Sequence, residues 1–217
     1  MPGNNLFDYI KSNSVDKLEA ALELDPSLTE LVNEQGVSVL LMATYYRNKE
    51  AISVIRKFRK YLSPWEAACL GETEQLKGLL ENDPSLLNRP SPDGFSLLGY
   101  ACFFSQDKTA TMLLAKGAAI NEPSWNSMKV TPLHSAASSS DYLLCKLLLE
   151  NGAAINAVQQ GGYTALHAAA QNGHTELAKL FLEQGADKTM LTDKGQSAVM
   201  LAAEKMHTAT AKLIAEF

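Results

Sequence analysis

The 217-residue sequence contains no apolar run that approaches the roughly 18 residues of a membrane-spanning helix. The stretch from Met1 to Phe7 has no charged segment followed by an apolar block, so no secretory signal is predicted. Basic residues are in deficit, with 19 Lys and Arg against 24 Asp and Glu, which argues against a general nucleic-acid binder. These absences predict a cytoplasmic protein that binds neither membrane nor nucleic acid.

Cysteine is scarce and the usual catalytic motifs are missing. Cys69, Cys102 and Cys145 are odd in number and widely spaced in predicted apolar helices, which predicts reduced, buried thiols. The sequence has no Gly-x-Ser-x-Gly elbow, phosphate loop, His-Glu-x-x-His or Cys-x-x-Cys motif. We therefore predict that the chain is not an enzyme and that it needs no cofactor.

What the sequence does contain is a repeat with a period of 33 residues. Thr-Pro-Leu-His-Ser-Ala-Ala at residues 131–137 is followed by Thr-Ala-Leu-His-Ala-Ala-Ala at residues 164–170. Each copy continues into a second apolar helix that ends in Gly-Ala, at residues 152–153 and 185–186. A fixed period of this length indicates stacked structural units, none of which buries its apolar face alone.

These two copies resemble ankyrin repeats, and the Asp-Pro-Ser-Leu connectors elsewhere in the chain resemble those of bacterial members of that family. The resemblance implies an all-α solenoid, a single domain of residues 1–217 with about seven helix-turn-helix pairs and short β-hairpin-like fingers. The pairs are predicted at approximately residues 5–35, 36–61, 62–93, 94–128, 129–161, 162–194 and 195–217. The first and last pairs lack the Thr-Pro-Leu-His motif and are interpreted as caps.

The first half of the chain departs from this regular pattern in a way that itself repeats. Asp-Pro-Ser-Leu at residues 25–28 recurs at residues 83–86, and the flanking aromatic and glycine positions recur at the same offset of 58 residues. We interpret this as an internal duplication of a two-pair unit. A finger is predicted to be missing near residues 61–63, and an enlarged one, with Trp125, is predicted between residues 121 and 131.

In ankyrin proteins, as the resemblance implies, partners bind along the concave side, which finger residues and the variable ends of the first helices form. The positions of this kind that carry large apolar side chains are Tyr45, Phe95, Phe103, Phe104, Trp125, Met128, Val130 and Tyr163. Aromatic residues are typical interface anchors, so we predict that this set binds a partner. The alternative is that some of them, Phe104 and Tyr46 in particular, fold inward to fill space in divergent repeats.

Two further groups attract attention but have simpler interpretations. His134 and His167 recur at the repeat period, and the resemblance implies that each bonds the backbone of a neighbouring loop. Stacked helices lie about 10 Å apart, too far for shared metal ligation, so we predict no metal site. Residues 56–60 carry four positive charges, which indicate either a solvated helix end or a second site for an acidic or phosphate-bearing partner.

The leading prediction is a non-catalytic scaffold that holds a partner protein as an adaptor, regulator or inhibitor, and that is itself a monomer. The alternative is a structural or self-associating repeat module, in which the aromatic patch meets a second copy. Partner capture with and without Phe95 and Phe103, together with sedimentation at high concentration, distinguishes the two.

Overall fold

The computed structural model describes residues 5–217, and within that range the chain forms fourteen α-helices. The helices are α1 (Asn5–Lys11), α2 (Val15–Leu24), α3 (Val39–Tyr45), α4 (Lys49–Phe58), α5 (Pro64–Leu70), α6 (Thr73–Asn82), α7 (Leu97–Phe103), α8 (Asp107–Ala115), α9 (Pro132–Ser138), α10 (Tyr142–Glu150), α11 (Ala165–Gln171), α12 (Thr175–Glu183), α13 (Ala198–Glu204) and α14 (Thr208–Glu216). They form seven antiparallel pairs, and none of the described helices is long and apolar enough to cross a membrane. The predicted all-α solenoid is confirmed.

Most first helices begin at a hydroxyl side chain that caps the helix. The hydroxyl oxygen accepts a hydrogen bond from a backbone N–H in the first turn at Ser38, Ser63, Ser96, Thr164 and Ser197. These N–H groups have no partner within the helix, so each cap contributes about 1 kcal/mol. The divergent repeats therefore keep the start signal of the regular ones.

Stacking places first helices against first helices and second helices against second helices. α7 packs between α5 and α9, and α11 packs between α9 and α13, while α8 contacts α6 and α10. Alanines such as Ala101, Ala136 and Ala169 are fully buried between first helices, because only a small side chain allows such close approach. Second helices contribute larger core residues, among them Leu113 and Phe181.

Five loops before first helices form fingers, which we define as residues 33–37, 91–95, 124–130, 159–163 and 192–196. In each finger the N–H of the first residue donates to the carbonyl of the last. Neighbouring fingers are joined by backbone bonds, for example from Trp125 N to Gly94 O at 2.8 Å and from Gln160 N to Met128 O at 2.9 Å. The finger at 124–130 is two residues longer than the others, as predicted, and the short link between α4 and α5 has none of this closure.

The two Asp-Pro-Ser-Leu connectors have the same local structure. Each begins a short 3-10 helix, in which the carboxylate of Asp25 or Asp83 accepts from the N–H of Ser27 or Ser85 at 3.0 and 3.1 Å. The copies thus fold alike where they share sequence. Their origin by duplication stays an interpretation.

A buried ion pair stands where the missing finger would be. The guanidinium of Arg59 lies 3.1 Å from the carboxylate of Glu66 and 3.2 Å from that of Glu30, and only 8% of the Arg59 side chain is exposed. Arg59 also donates to the carbonyls of Thr29 at 2.6 Å and Tyr61 at 3.2 Å. One side chain therefore ties the first pair to the link that leads into the third.

Glu66 completes this network from α5. Its carboxylate accepts from the backbone N–H of Ser63 at 2.8 Å and from the hydroxyl of Ser38 at 2.5 Å, and its side chain is 1% exposed. Glu66 occupies the position that His134 and His167 hold in the regular repeats. Where those histidines bond the backbone of the loop before the next first helix, Glu66 binds Arg59 instead.

The charged run at residues 56–60 is therefore a structural element, and its interpretation as a solvated helix end is wrong for Arg59. Arg56 also pairs within the chain, with Glu72 at 2.9 Å, and Lys57 pairs with Glu19 at 2.6 Å. Three of the four charges are thus already engaged, which counts against a second site for an acidic partner here.

Several turns between paired helices use a left-handed residue that is not glycine. Gly71 has φ of +73°, but Arg47 and Ser105 have φ of +51° and +54°. A residue other than glycine in this region costs about 1–2 kcal/mol of backbone strain. Glycine avoids this strain but loses more chain entropy on folding, which offsets part of the gain.

We expect Ser105→Gly to stabilise the protein by about 0.5–1 kcal/mol in chemical denaturation, because it relieves this strain. The matched change Ser53→Gly, at an exposed position inside α4, should destabilise it by a similar amount.

Candidate protein-binding site

A cleft of about 490 Å³ lies between the fingers and first helices of the fourth and fifth pairs. Its lining residues are Tyr45, Asp93, Phe95, Gly99, Tyr100, Phe103, Met128, Val130, Ser135, Ser138 and Gln159. They come from α3, α7 and α9 and from three consecutive fingers. The walls are mainly apolar, with polar atoms concentrated at a few positions, as is typical of a binding pocket.

A hydrogen-bonded triad of Tyr45, Asp93 and Tyr100 lies at one side of the cleft. The carboxylate of Asp93 accepts from the hydroxyls of Tyr45 and Tyr100, each at 2.5 Å, and from the hydroxyl of Ser91 at 2.6 Å. The two tyrosine hydroxyls are 3.0 Å apart. These bonds fix both rings, so the aromatic wall is held in place before any partner arrives.

The missing finger explains how Tyr45 reaches so far along the stack. Tyr45 ends α3 in the second pair, whereas Asp93 lies in the finger that precedes α7 and Tyr100 lies in α7 itself, in the fourth pair. No finger precedes α5, so the finger at 33–37 lies directly against the finger at 91–95. A Cβ atom on Gly36 would lie only 2.5 Å from the Cβ of Pro92. On this face, the fingers before the second and fourth pairs contact each other across the third pair. Tyr45 therefore reaches Asp93 and Tyr100.

The cleft also exists because Gly99 stands where the regular repeats have histidine. In those repeats the Nε2 atom of His134 lies 3.3 Å from the carbonyl of Tyr163, the residue just before the next capping threonine. Val130 is the matching residue of the fifth pair, and it lines the cleft together with Gly99. Without a side chain at Gly99, the space between α7 and Val130 stays open.

Ring contacts order the remaining aromatic side chains. Phe95 packs on Tyr100 with ring centroids 5.6 Å apart, and Phe103 meets Phe104 edge to face at 5.1 Å. Tilted and edge-to-face pairs of this kind contribute about 0.5–1.5 kcal/mol beyond burial. Phe103 keeps 37% of its surface exposed at the edge of the cleft.

The structure brings together five of the eight predicted binding residues and separates the other three. Tyr45, Phe95, Phe103, Met128 and Val130 line the cleft.

The other three lie elsewhere. Phe104 is partly buried against the core, and its ring centroid lies 5.9 Å from that of Tyr45. This agrees with the alternative that Phe104 folds inward. Tyr46, the other side chain in that alternative, is 51% exposed and so does not fold inward. Trp125 is 67% exposed in the enlarged finger, and Tyr163 lies in the next space along, with Gln196 and Lys205.

Sequence reasoning did not select Gly99, Tyr100, Ser135 or Gln159 as site residues. Tyr100 is the informative one, because it occupies the position that Ser135 and Ala168 hold in the following repeats. A large aromatic residue with a polar tip, at a position where small residues stack, signals a local change of packing. Its 2% exposure shows that the change is accommodated inside the protein.

Burial controls the ionisation of the groups around the triad. Burial raises the pKa of Tyr45 well above its usual value, and the hydrogen bond to Asp93 raises it further. The pKa of Tyr100 is also raised, chiefly by burial. Both hydroxyls therefore keep their protons and donate to Asp93. Burial likewise raises the pKa values of the three cysteine thiols, which leaves them unreactive near neutral pH.

The two repeat histidines have the role that the resemblance implied. His134 Nδ1 lies 2.8 Å from the Thr131 hydroxyl, and Nε2 of His167 lies 3.1 Å from the carbonyl of Met190. Burial lowers the pKa of both rings, which favours the neutral form. Their predicted bonds to loop backbone are confirmed. No group of three or more His, Cys, Asp or Glu residues within residues 5–217 is arranged to hold a metal ion.

The stacked helix pairs and linked fingers define a helical repeat protein. The chain belongs to the ankyrin repeat family, because the family model described as ankyrin repeats (3 copies) matches residues 65–159 and 141–217. The sequence is also 36% identical over 94 residues to the RelA-associated inhibitor of Mus musculus. That match covers 42% of this chain and 11% of the mouse protein. The family assignment is thereby confirmed, while the likeness to bacterial members stays a prediction.

Proposed function

We propose that the protein is a non-catalytic interaction scaffold that holds a segment of a partner protein in the cleft between the fourth and fifth pairs. Membership of the ankyrin repeat family and the likeness to an inhibitor protein support a protein-interaction role. The name of the mouse relative favours inhibition over the adaptor and regulator alternatives. We further propose that the chain acts as a monomer in the cytoplasm.

The observation that carries this proposal is the preformed aromatic wall. Tyr45, Phe95 and Phe103 present ring surface to one cleft, and the triad and the ring contacts hold them in place. Rigid anchors lose little conformational entropy when a partner binds, so more of the contact energy appears as affinity. Anchors of this kind in a desolvated pocket typically dominate the energy of an interface.

We expect the double substitution Phe95→Ala and Phe103→Ala to weaken partner binding by about 2 kcal/mol or more, roughly 30-fold, because it removes two anchors. The test is affinity capture from the native lysate, with captured proteins identified and then titrated in purified form. Tyr142→Ala is the matched control. Tyr142 is similarly exposed, at 41%, but lies on α10 outside the cleft.

A result in which the double variant captures the same proteins with unchanged affinity would contradict the proposal. Melting curves of the variant separate a binding defect from unfolding, since Phe95 is half-buried. A large fall in stability with no change in binding would show that these rings serve the core alone.

Self-association is the second candidate, and exposed apolar side chains near the fingers favour it. Trp125, Met128 and Val158 are 67%, 42% and 47% exposed, respectively. Apolar patches of this kind mark interaction surfaces when they are contiguous. Sedimentation velocity over a wide range of protein concentrations, with Trp125→Ala as comparison, would reveal a second copy as the occupant.

A further inference from the structure

Asp93 is the only charged residue among those that line the cleft. Its carboxylate has no Lys, Arg or His side chain within ion-pair distance in the part of the chain that the structure describes. The tyrosines beside it are neutral donors. The cleft therefore presents one uncompensated negative charge within an apolar wall, where a cation is attracted more strongly than in water.

The hydrogen bonds already made by Asp93 restrict what kind of cation fits. A carboxylate has about four acceptor positions on its two oxygens. Oδ1 accepts from Ser91 and Tyr100, and Oδ2 accepts from Tyr45. About one position remains, on Oδ2. A guanidinium that binds a carboxylate with two parallel bonds is therefore poorly matched, whereas an ammonium needs only one bond here.

The aromatic rings supply the rest of the environment that an ammonium group needs. Tyr45, Phe95 and Phe103 line the same cleft as the carboxylate. An ammonium within about 6 Å of a ring face is attracted by the ring quadrupole, more so when water is excluded. Met128 and Val130 offer apolar contact to an aliphatic stem. One acceptor, several rings and an apolar wall together match the end of a lysine side chain.

We propose that the cleft recognises a partner through a lysine side chain, whose ammonium group pairs with Asp93 and lies against the Tyr45, Phe95 and Phe103 rings. The inference rests on the proposed function, since it specifies the chemistry of the partner segment that enters the cleft. It also gives a role to a carboxylate that has three hydroxyl donors but no cationic partner in an apolar wall, where a buried charge is costly without one.

The test uses a short alanine peptide with one central lysine, titrated into the full chain and followed by NMR shifts of the cleft residues. Peptides with norleucine, dimethyl-lysine or arginine at the same position are the comparisons. Norleucine keeps the aliphatic stem and removes the charge. We expect the lysine peptide to bind about tenfold more tightly than the norleucine peptide, and the arginine peptide to bind more weakly than either lysine form.

Two variants locate the effect. Asp93→Asn keeps an acceptor for the tyrosines but removes the charge, so it should abolish the preference for lysine over norleucine. Phe103→Leu removes a ring at the partly exposed edge of the cleft, where folding is little affected, and should reduce the same preference.

Equal binding of the norleucine and lysine peptides, or the absence of any shift in the cleft, would overturn the inference. So would an Asp93→Asn variant that captures the protein partner with unchanged affinity while the Phe95 and Phe103 double variant fails to capture it. That combination would leave the proposed function standing without its cationic feature. If both the Asp93→Asn variant and the double variant captured the partner with unchanged affinity, the proposed function would be rejected.

Discussion

Glu66→Ala is expected to lower the free energy of unfolding by about 3 kcal/mol. The substitution removes a carboxylate that is 1% exposed and leaves the guanidinium of Arg59, at 8% exposure, with less compensation. Removing one partner of a buried pair costs about 3–5 kcal/mol. We expect the lower end of that range, because Glu30 and two backbone carbonyls still contact Arg59.

The stability lost in Glu66→Ala should come from the contact between the second and third pairs and should lower the stability of the whole protein. Glu66 also accepts from Ser38 and from the backbone of Ser63, so its removal breaks half of the capping box of α5 and loosens the contact of α5 with the second pair. In a repeat protein, stability is roughly a sum over neighbouring interfaces. Urea denaturation followed by circular dichroism measures the change, and a separate early transition of the first two pairs would locate it.

Two comparisons make this expectation specific. Arg89→Ala breaks a half-exposed pair with Asp83, whose atoms are 3.6 Å apart, and should cost far less stability because solvent screens exposed charges. The double change Arg59→Met and Glu66→Leu replaces both charges with apolar side chains and should recover much of the loss. A Glu66→Ala variant as stable as Arg89→Ala would show that the buried pair adds little.

The repeat register made most of the fold predictable. The 33-residue period of the regular copies predicted the helix pairs, the enlarged finger and the absent one. This works because residues close in the sequence determine where a helix starts, where it stops and how long a finger is. The same logic found Phe95, Phe103, Met128 and Val130, whose positions within a repeat determine which way they face. Periodicity carries this information residue by residue.

What could not be predicted depends on contacts between repeats that are not neighbours. Tyr45 reaches Asp93 and Tyr100 across 48 and 55 residues of sequence, over a pair that lacks its finger. The interpretation of Arg59 was wrong for a different reason, because its contact joins neighbouring repeats that are both irregular. Its partner Glu66 stands at a position that normally holds histidine, and its burial depends on how two irregular repeats meet. The repeat period predicts where a residue lies within its own repeat. It does not predict which new contacts form when a neighbouring repeat lacks its finger.

Gly99→His is expected to stabilise the protein and at the same time weaken partner binding at least tenfold. The substitution restores the family residue in α7, and the new imidazole should bond the carbonyl of Val130 as His134 bonds that of Tyr163. Replacing a helical glycine by histidine contributes about a few tenths of a kcal/mol, because histidine is itself a weak helix former, and the hydrogen bond contributes about 1 kcal/mol more. The ring would occupy space that the partner needs, because Gly99 and Val130 both line the cleft.

Gly78→Ala provides the matched control for the stability gain. Gly78 lies inside α6, and a Cβ atom there meets nothing within 4 Å, so the change removes glycine from a helix without touching the cleft. It should raise stability by about 0.5–1 kcal/mol and leave affinity unchanged. At Gly99 the nearest atom to an added Cβ is the Ser96 hydroxyl at 3.1 Å, a contact that a small shift of that hydroxyl relieves. A Gly99→His variant that gains stability and keeps full affinity would show that the partner binds elsewhere, since only a partner inside the cleft competes with that side chain.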